Sequence, residues 1–482
     1  MVQHVQNEPR RNEMSNEVGI SRSFGYVAFD DEANPEAGFT SIAGGHVARI
    51  NDMHELSTDV IWWSNLSFDA FYKKTEAWRN PWLRHDKYLV ASPNDVLKEW
   101  GLDPKECDVT QACPIISEFF SRIMKISFQL IKDVNPQARM EETFIGRFLR
   151  EDFRCILPKP EFPKNEAAEV IKSGHAYAEF TPTGVPGVRG GRWIMLRKPR
   201  MSYAQEMFHT PIPKGPFEFY GRAEIRSVAR DKLKWVIENE NPCIAEVSIK
   251  KIDGDIAPIF GFGNAAAKEK RIPRSWVAHP ELVVMEHFAD IDVRSLWMGS
   301  EYDLIGPALP EPVKDFLNSN YTAISWSAGV VAETLWRACS LGEEKSASQD
   351  DVRAHTSWQG AWLKGADKSN MFLTAMQLTK KGYAVVSYGL GWVRCAVLEE
   401  DIPDLIMDGL NIGVLPQIAD IPSNLFSGET RVPWQGDVSS MAFAQFTLTG
   451  NRDLLWGCDT IPLLKRKERK KAFIELMKKF GG

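Results

Sequence analysis

The chain has 482 residues, a formal net charge of −6, 44% hydrophobic and 25% charged residues. That length suits about three domain-sized units with sizeable cores, and no run reaches the roughly 20 apolar residues of a membrane span. The acidic balance does not mark the whole chain as a nucleic-acid binder, so any such contact has to come from local clusters of Lys and Arg. The 7 cysteines are odd in number and none form C-x-x-C. That pattern fits a reducing compartment without structural zinc. The first fifteen residues are polar, with no apolar core of a secretory leader. The expected location is cytoplasmic, or within a virion if the chain is viral.

In chain order, residues 1–22 read as a flexible arm. Apolar runs predict strands at 24–30, 39–49 and 59–63, followed by a helix opening near Leu66. The spacing of Ile115, Ile116, Phe119, Phe120, Ile123 and Ile126 predicts an amphipathic helix over 114–133. Leu157-Pro-Lys-Pro-Glu-Phe-Pro163 reads as a linker and sets the first domain boundary at 157. A Gly-rich turn over 183–192 leads into a strand at 193–197. The strand Cys243–Ile252 is expected to turn at Asp253-Gly254 into a hairpin ending near 260. Helices follow near 280–288, 325–341 and 362–380, strands at 383–388 and 392–398, and a basic amphipathic helix at 465–480. This mixed order predicts an α+β fold.

Two short stretches carry the chemistry. Tyr26-Val-Ala-Phe-Asp-Asp-Glu32 places Asp30 and Glu32 at the end of an apolar strand, two apart and so on one face. Val60-Ile-Trp-Trp-Ser-Asn-Leu-Ser-Phe-Asp69 brings Asp69 in after a second apolar run, with Asn65 four residues before it. Carboxylates converging from two strand ends are the hard oxygen ligands that two divalent ions about 4 Å apart require. The plain alternatives are an acidic turn at Asp30-Asp31-Glu32 and a helix N-cap at Asn65. Basic residues cluster in Arg189–Arg200 and in Lys465–Lys471, either of which can follow a phosphate backbone or form a solvated face. Lys251-Ile-Asp-Gly254 matches the lysine motif of nucleotidyl-transferring ligases, but the expected hairpin turn explains the same residues.

These two stretches resemble the first and second exonuclease motifs, F-D-x-E and N-x-x-F-D, of DNA polymerases. Later segments resemble family-B DNA polymerases of the protein-primed phage and linear-plasmid group. Val188-Arg-Gly-Gly191 stands where that group has Y-x-G-G. Met201-Ser-Tyr-Ala-Gln-Glu-Met207 through Pro213-Lys-Gly215 is similar to S-L-Y-P-x-x-M and the P-x-G after it. Tyr383–Tyr388, Val393–Val397 and Ile402–Ile406 resemble the strand–turn–strand of the third polymerase motif and its continuation. The resemblance runs in order over roughly 24–410. It implies an exonuclease-like domain of RNase H type over 23–157, a linker and Gly-rich junction over 158–192, a palm and fingers-like domain over 193–410 and a thumb-like region over 411–482.

The departures bear on activity. Palm catalysis needs two aspartates holding two Mg²⁺ ions. In this register Lys198 stands at the first, and Gly389-Leu390-Gly391 stands where D-T-D belongs. The second motif is reduced to Thr334–Gly342, without its lysine. A rival register puts Asp292-Val-Arg-Ser-Leu-Trp297 at the first motif and keeps an aspartate. The third exonuclease motif is incomplete: Asp108 is the nearest acid, and in register with Ile115-Ile-Ser-Glu118 the position falls on Ala112.

The resemblance therefore implies a catalytically degenerate DNA polymerase homologue. It would bind DNA, single-stranded or primer–template, and a terminal or replication protein, through Asn65, Arg189, Gly190, Gly191, Arg192, Arg197, Lys198 and Arg200. A metal-dependent 3′–5′ exonuclease using Asp30, Glu32, Asp69 and Asp108, with Mg²⁺ or Mn²⁺ on the first three, is the alternative. An active polymerase using Asp290, Asp292, Glu399 or Glu400 as unusual ligands is the second alternative.

Overall fold

The computed structural model describes residues 23–66, 89–90, 109–136, 188–262, 276–318, 326–341 and 357–416, apart from 33, 44, 58, 189, 199, 201, 229–230, 239–240 and 305–308. The expected arm, the helix near Leu66, Asp69, Asp108, the linker at 157–163, Arg189 and the basic C-terminal helix lie outside the described residues. The protein is of mixed α+β class, and its described residues fall into two compact units, one up to 136 and one from 188 onward.

The first unit is a five-stranded sheet with one long helix. Strands β1 (Ser23–Phe29), β2 (Gly38–Ile42), β3 (Val47–Ile50), β4 (Val60–Ser64) and β5 (Leu89–Val90) lie in the order β3-β2-β1-β4-β5. β2 and β3 run antiparallel to their neighbours, whereas β4 is parallel to β1 and β5 to β4. β1 and β4 are central and buried on both faces, which is why they read as almost continuous apolar runs. The run expected as one strand over 39–49 is two, because the chain reverses about Gly45, whose N–H donates to the Ile42 carbonyl at 2.7 Å.

Side chains alternate across this sheet. Val27, Phe29, Val60 and Trp62 join Ile50, Met53, Leu56 and Leu66 in one core. Phe24, Tyr26 and Trp63 meet helix α1 (Val109–Val134) on the other side. Trp63 stacks on Phe120 at 4.4 Å between ring centroids, and Phe24 meets Phe128 at 5.8 Å. These aromatic contacts set which stripe of α1 is buried: Cys113, Ile116, Phe120, Ile123, Met124, Phe128 and Ile131, with Ile126 only partly covered. Ala112 lies on this buried side of the first turns.

The second unit holds two antiparallel four-stranded sheets. One has the order β7-β10-β8-β9, from β7 (Pro211–Tyr220), β8 (Cys243–Ile252), β9 (Trp276–Ala278) and β10 (Ala289–Leu304). After Asp253-Gly254 the chain does not return as a hairpin partner of β8. Ile256 and Ala257 donate to the Asp253 carbonyl, a 3-10 turn follows over Ala257–Ile259, and the long β10 takes the place beside β8. The other sheet has the order β11-β12-β6-β13, from β6 (Arg192–Arg197), β11 (Ala384–Gly389), β12 (Trp392–Val397) and β13 (Leu415–Pro416).

Helices α2 (Ser202–His209), α3 (Arg222–Val228), α4 (Lys232–Glu238), α5 (His279–Glu286), α6 (Glu311–Asn318), α7 (Trp326–Leu341), α8 (Trp358–Lys380) and α9 (Ile402–Asn411) complete the unit. α8 starts earlier than its sequence pattern suggests because the Ser357 hydroxyl caps it, accepting from Gly360 N–H at 2.9 Å. It is buried over most of its circumference, and this brings two charged side chains, Asp367 and Lys368, into the core.

Candidate functional site at two strand ends

The sheet pairing in the second unit decides which residues meet. β6 pairs with β12 so that Arg197 stands opposite Trp392, and Lys198 N–H donates to the Gly391 carbonyl at 2.9 Å. Lys198 and Gly389-Leu390-Gly391 are therefore adjacent. Asp292, the rival candidate, lies in β10 of the other sheet, where it pairs with Lys232 and Arg222. Asp290 faces Lys250 and Glu399 pairs with Arg192, both at exposed positions, and Glu400 is exposed. Among the described residues, the carboxylates that reach the Lys198 ammonium are Glu206 and Asp367 instead.

Lys198 is buried, with 7% of its surface exposed, and its ammonium is enclosed. Nζ donates to Glu206 Oε1 on α2 at 2.5 Å and to Asp367 Oδ1 on α8. It also lies 3.7 Å from the Tyr203 ring centroid and 5.2 Å from that of Trp336 on α7, close enough for cation–π attraction. A second network adjoins it: Glu333 on α7 accepts from Arg200 Nε at 2.7 Å and from Arg337 Nε at 2.9 Å. The assembly has three bases, Lys198, Arg200 and Arg337, and three acids, Glu206, Glu333 and Asp367. Their formal charges cancel, which is how the interior tolerates them.

The acids respond differently. Burial pushes the Glu206 carboxyl up to about 7, Asp367 adds to the rise, and Lys198 opposes it. Burial also raises Asp367 against the pull of Lys198, Arg337 and the Gly391 backbone. Burial alone would raise Glu333 too, but the guanidinium groups of Arg200, Arg337 and Arg197 outweigh it and bring that carboxyl down to about 2. Glu206 lines a cleft of about 620 Å³ with His209, Trp362 and Asn370.

The turn beside Lys198 is built for glycine. Gly391 has φ of 74°, and a Cβ there would come within 2.1 Å of the Tyr203 hydroxyl. At Gly389 a Cβ would meet the Trp392 ring at 2.7 Å. An aspartate at either position would have to displace an aromatic side chain, and at 391 it would also adopt a strained backbone. Divalent ions need a set of oxygen ligands. An ammonium already bonded to both nearby carboxylates, facing two glycines, does not fit such an ion. Thr334 does not enter the site either; its hydroxyl donates to the Val330 carbonyl within α7 at 2.7 Å, while its neighbours Glu333 and Trp336 face the cluster.

The basic segment is largely committed to internal partners. Lys198 is enclosed, Arg200 is paired with Glu333, and Arg192 reaches Glu399 at 3.0 Å. Gly190 adopts φ of 81° and Gly191 N–H donates to the Val188 carbonyl, so this Gly-Gly pair makes a tight turn into β6. Arg197 is partly exposed.

At the end of β1 the surroundings are open. Asn65 bridges two strands: its Oδ1 accepts from Phe29 N–H at 2.9 Å and its Nδ2 donates to the Phe29 carbonyl at 2.8 Å. The side chain thus imitates one more rung of the β1–β4 ladder. It holds the strand end just before Asp30. Asp30 is 46% exposed at its side chain and takes a two-pronged ion pair from Arg49 on β3. Arg49 is held above its ordinary pKa first by that hydrogen bond. Glu32 is partly buried in the β1–β2 connection. Among the described residues, no three His, Cys, Asp or Glu side chains are grouped to hold a metal ion.

Glu206 and Asp367 were not singled out by the sequence motifs. One signal was present: Gly365-Ala-Asp-Lys368 puts adjacent opposite charges in a helix otherwise rich in small and apolar residues. Such a charge has to find a buried partner.

No protein-family profile and no curated protein matches the sequence. Among solved structures, Phi29 DNA polymerase complexed with primer-template DNA is similar with a TM-score of 0.39 and 11% identity, over 80% of this chain and 82% of that one. The same polymerase complexed with single-stranded DNA gives 0.38 and 11%, over 78% and 80%. This is a distant resemblance in fold.

Proposed function

We propose that the chain is a polymerase-like nucleic-acid-binding protein that does not polymerise. One observation carries the second half of this reading: the Lys198 ammonium sits between Glu206 and Asp367, beside the Gly389–Gly391 turn. An internal cation there leaves no carboxylate pair to bind magnesium. The ordered motifs from Tyr26 to Ile406 support the first half, with DNA as the expected ligand and a terminal or replication protein as a further partner. The test is a labelled primer–template incubated with Mg²⁺ or Mn²⁺ and nucleotides. Retained binding without extension is expected. Template-directed incorporation abolished by a chelator would overturn the catalytic half, and absence of binding to any nucleic acid would overturn the rest.

A second reading, a metal-dependent 3′–5′ exonuclease in the first unit, is favoured by the sheet order β3-β2-β1-β4-β5 with Asp30 fixed at the end of the central strand by Asn65. Mg²⁺ or Mn²⁺ belongs to this reading alone, and Asp30 would have to leave Arg49 to serve it. Degradation of the labelled strand that is lost in Asp30→Asn would support it; no degradation with either ion would end it.

A further inference from the structure

The two faces of the β11-β12-β6-β13 sheet differ. Ile194 and Leu196 of β6 and Val393 and Cys395 of β12 point into the core. The opposite face follows from the register: Trp193 stands across from Ala396, Met195 from Arg394 and Arg197 from Trp392. Trp193 is 63% exposed, the most exposed large apolar side chain among the described residues. The Arg394 guanidinium lies between two indoles, 5.8 Å from the Trp193 ring centroid and 5.2 Å from that of Trp392. No carboxylate pairs with Arg394 among the described residues. Trp392 can lie against the sheet because position 389 is glycine, where a Cβ would come within 2.7 Å of its ring. The same glycine that removes a carboxylate therefore makes room for an indole.

We infer that this face is a stacking platform for an unpaired nucleic-acid strand, with bases on the Trp193 and Trp392 rings and Arg394 meeting phosphate or base. This rests on the nucleic-acid-binding reading above and narrows it to single strands. Side chains two apart on a strand rise about 7 Å, so Trp392, Arg394 and the position opposite Trp193 form evenly spaced rungs. An occupant has to offer flat π faces to the indoles and negative charge to an arginine that has no acidic partner among the described residues. Unpaired nucleotides carry both, and every base has such a face. A duplex hides its base faces in the stack and presents mainly phosphate. Sheet faces bearing aromatic side chains and arginine suit unpaired bases for the same reason.

The experiment uses the full chain and fluorescence anisotropy of a short labelled oligonucleotide in three forms: single-stranded, duplexed with its complement, and abasic throughout. Trp193→Ala should weaken single-strand binding about tenfold or more, the loss of one stacked base. Trp193→Phe should recover most of it, and Arg394→Gln should also weaken it. Duplex and abasic affinities should barely change in Trp193→Ala. Unchanged single-strand affinity in both Trp193→Ala and Arg394→Gln would overturn the platform, as would an equal loss for all three forms. Wild-type protein that binds duplex but prefers no single strand would overturn this inference and leave the broader reading standing. Binding of no nucleic acid would remove both. Self-association lost in Trp193→Ala, with single-strand binding intact, would make this face a protein interface instead.

Discussion

Asp30 after β1 and Lys198 after β6 are each ionic side chains just past a strand end, but their surroundings are opposite. Asp30 and Arg49 are both more than two-fifths exposed and exchange one ion pair with water close by. Lys198 is enclosed by two carboxylates and two aromatic rings on three different helices. An exposed pair gains little and is readily vacated. A buried one is weak as a net source of stability, yet removing one member strands the others without solvent. The first strand end is therefore adaptable, and the second is locked.

Breaking the locked end should have the largest effect. Lys198→Met leaves Glu206 and Asp367 buried beside each other, and urea unfolding at neutral pH should show a loss of about 3–5 kcal/mol. A loss below about 1 kcal/mol, the scale of an exposed pair, would erase the contrast between the two sites. Acidity sharpens the same test. Glu206 has a folded value of about 7 against an ordinary 4.5, so between these values the native state holds more protons than the unfolded chain. Its contribution is complete below pH 4.5 and is lost as pH rises through 7. Glu333, brought down to about 2, acts oppositely: its contribution is present above pH 4.5 and lost as pH falls towards 2. Glu206→Gln should flatten the decline between pH 4.5 and 7 while leaving the acid-side loss. An unaltered pH profile would show that Glu206 does not take up that proton.

The turn comes next. Gly391→Ala places a Cβ at φ of 74° against Tyr203 and should cost towards the upper end of about 1–3 kcal/mol by thermal or urea unfolding. Gly254→Ala, where no atom lies within 4 Å of the added Cβ, is the control expected to be mild. At the first strand end, Asn65→Leu removes a donor and an acceptor from buried Phe29 backbone groups and should cost about 1–3 kcal/mol. Asn65→Asp should keep the bond from Phe29 N–H but set a buried carboxylate oxygen against the Phe29 carbonyl, giving at neutral pH a loss at least as large. The smallest change is expected for Arg49→Ala, with no resolvable shift in the unfolding midpoint. A clear destabilisation there would mean that the Asp30–Arg49 pair is structural, as Lys198 is.

Much of the local structure was legible in the chain itself. The continuous apolar runs around Tyr26 and Trp62 marked strands, and the structure puts both inside the sheet with both faces buried. The stripe from Ile116 to Ile123 marked α1, and Gly389-Leu-Gly391 marked the β11–β12 turn. These features depend on periodicity and backbone freedom, which neighbouring residues determine. Register was less legible. Lys198 and Asp292 were both candidates for the strand beside that turn, and only the β6–β12 pairing separated them, since strand partners are chosen by long-range packing. The partners of buried charge were least legible of all. Glu206 is 8 residues from Lys198 and Asp367 is 169 away; an isolated charged residue in a sequence does not say whether it faces water or another charge. Arg394 between Trp193 and Trp392 is the same lesson on the surface, because those rings share a face only through the register of two strands. Composition and order specify which elements form, and tertiary packing alone decides which charges meet, because burial makes an ionic group's energy depend on the atoms around it rather than on its place in the chain.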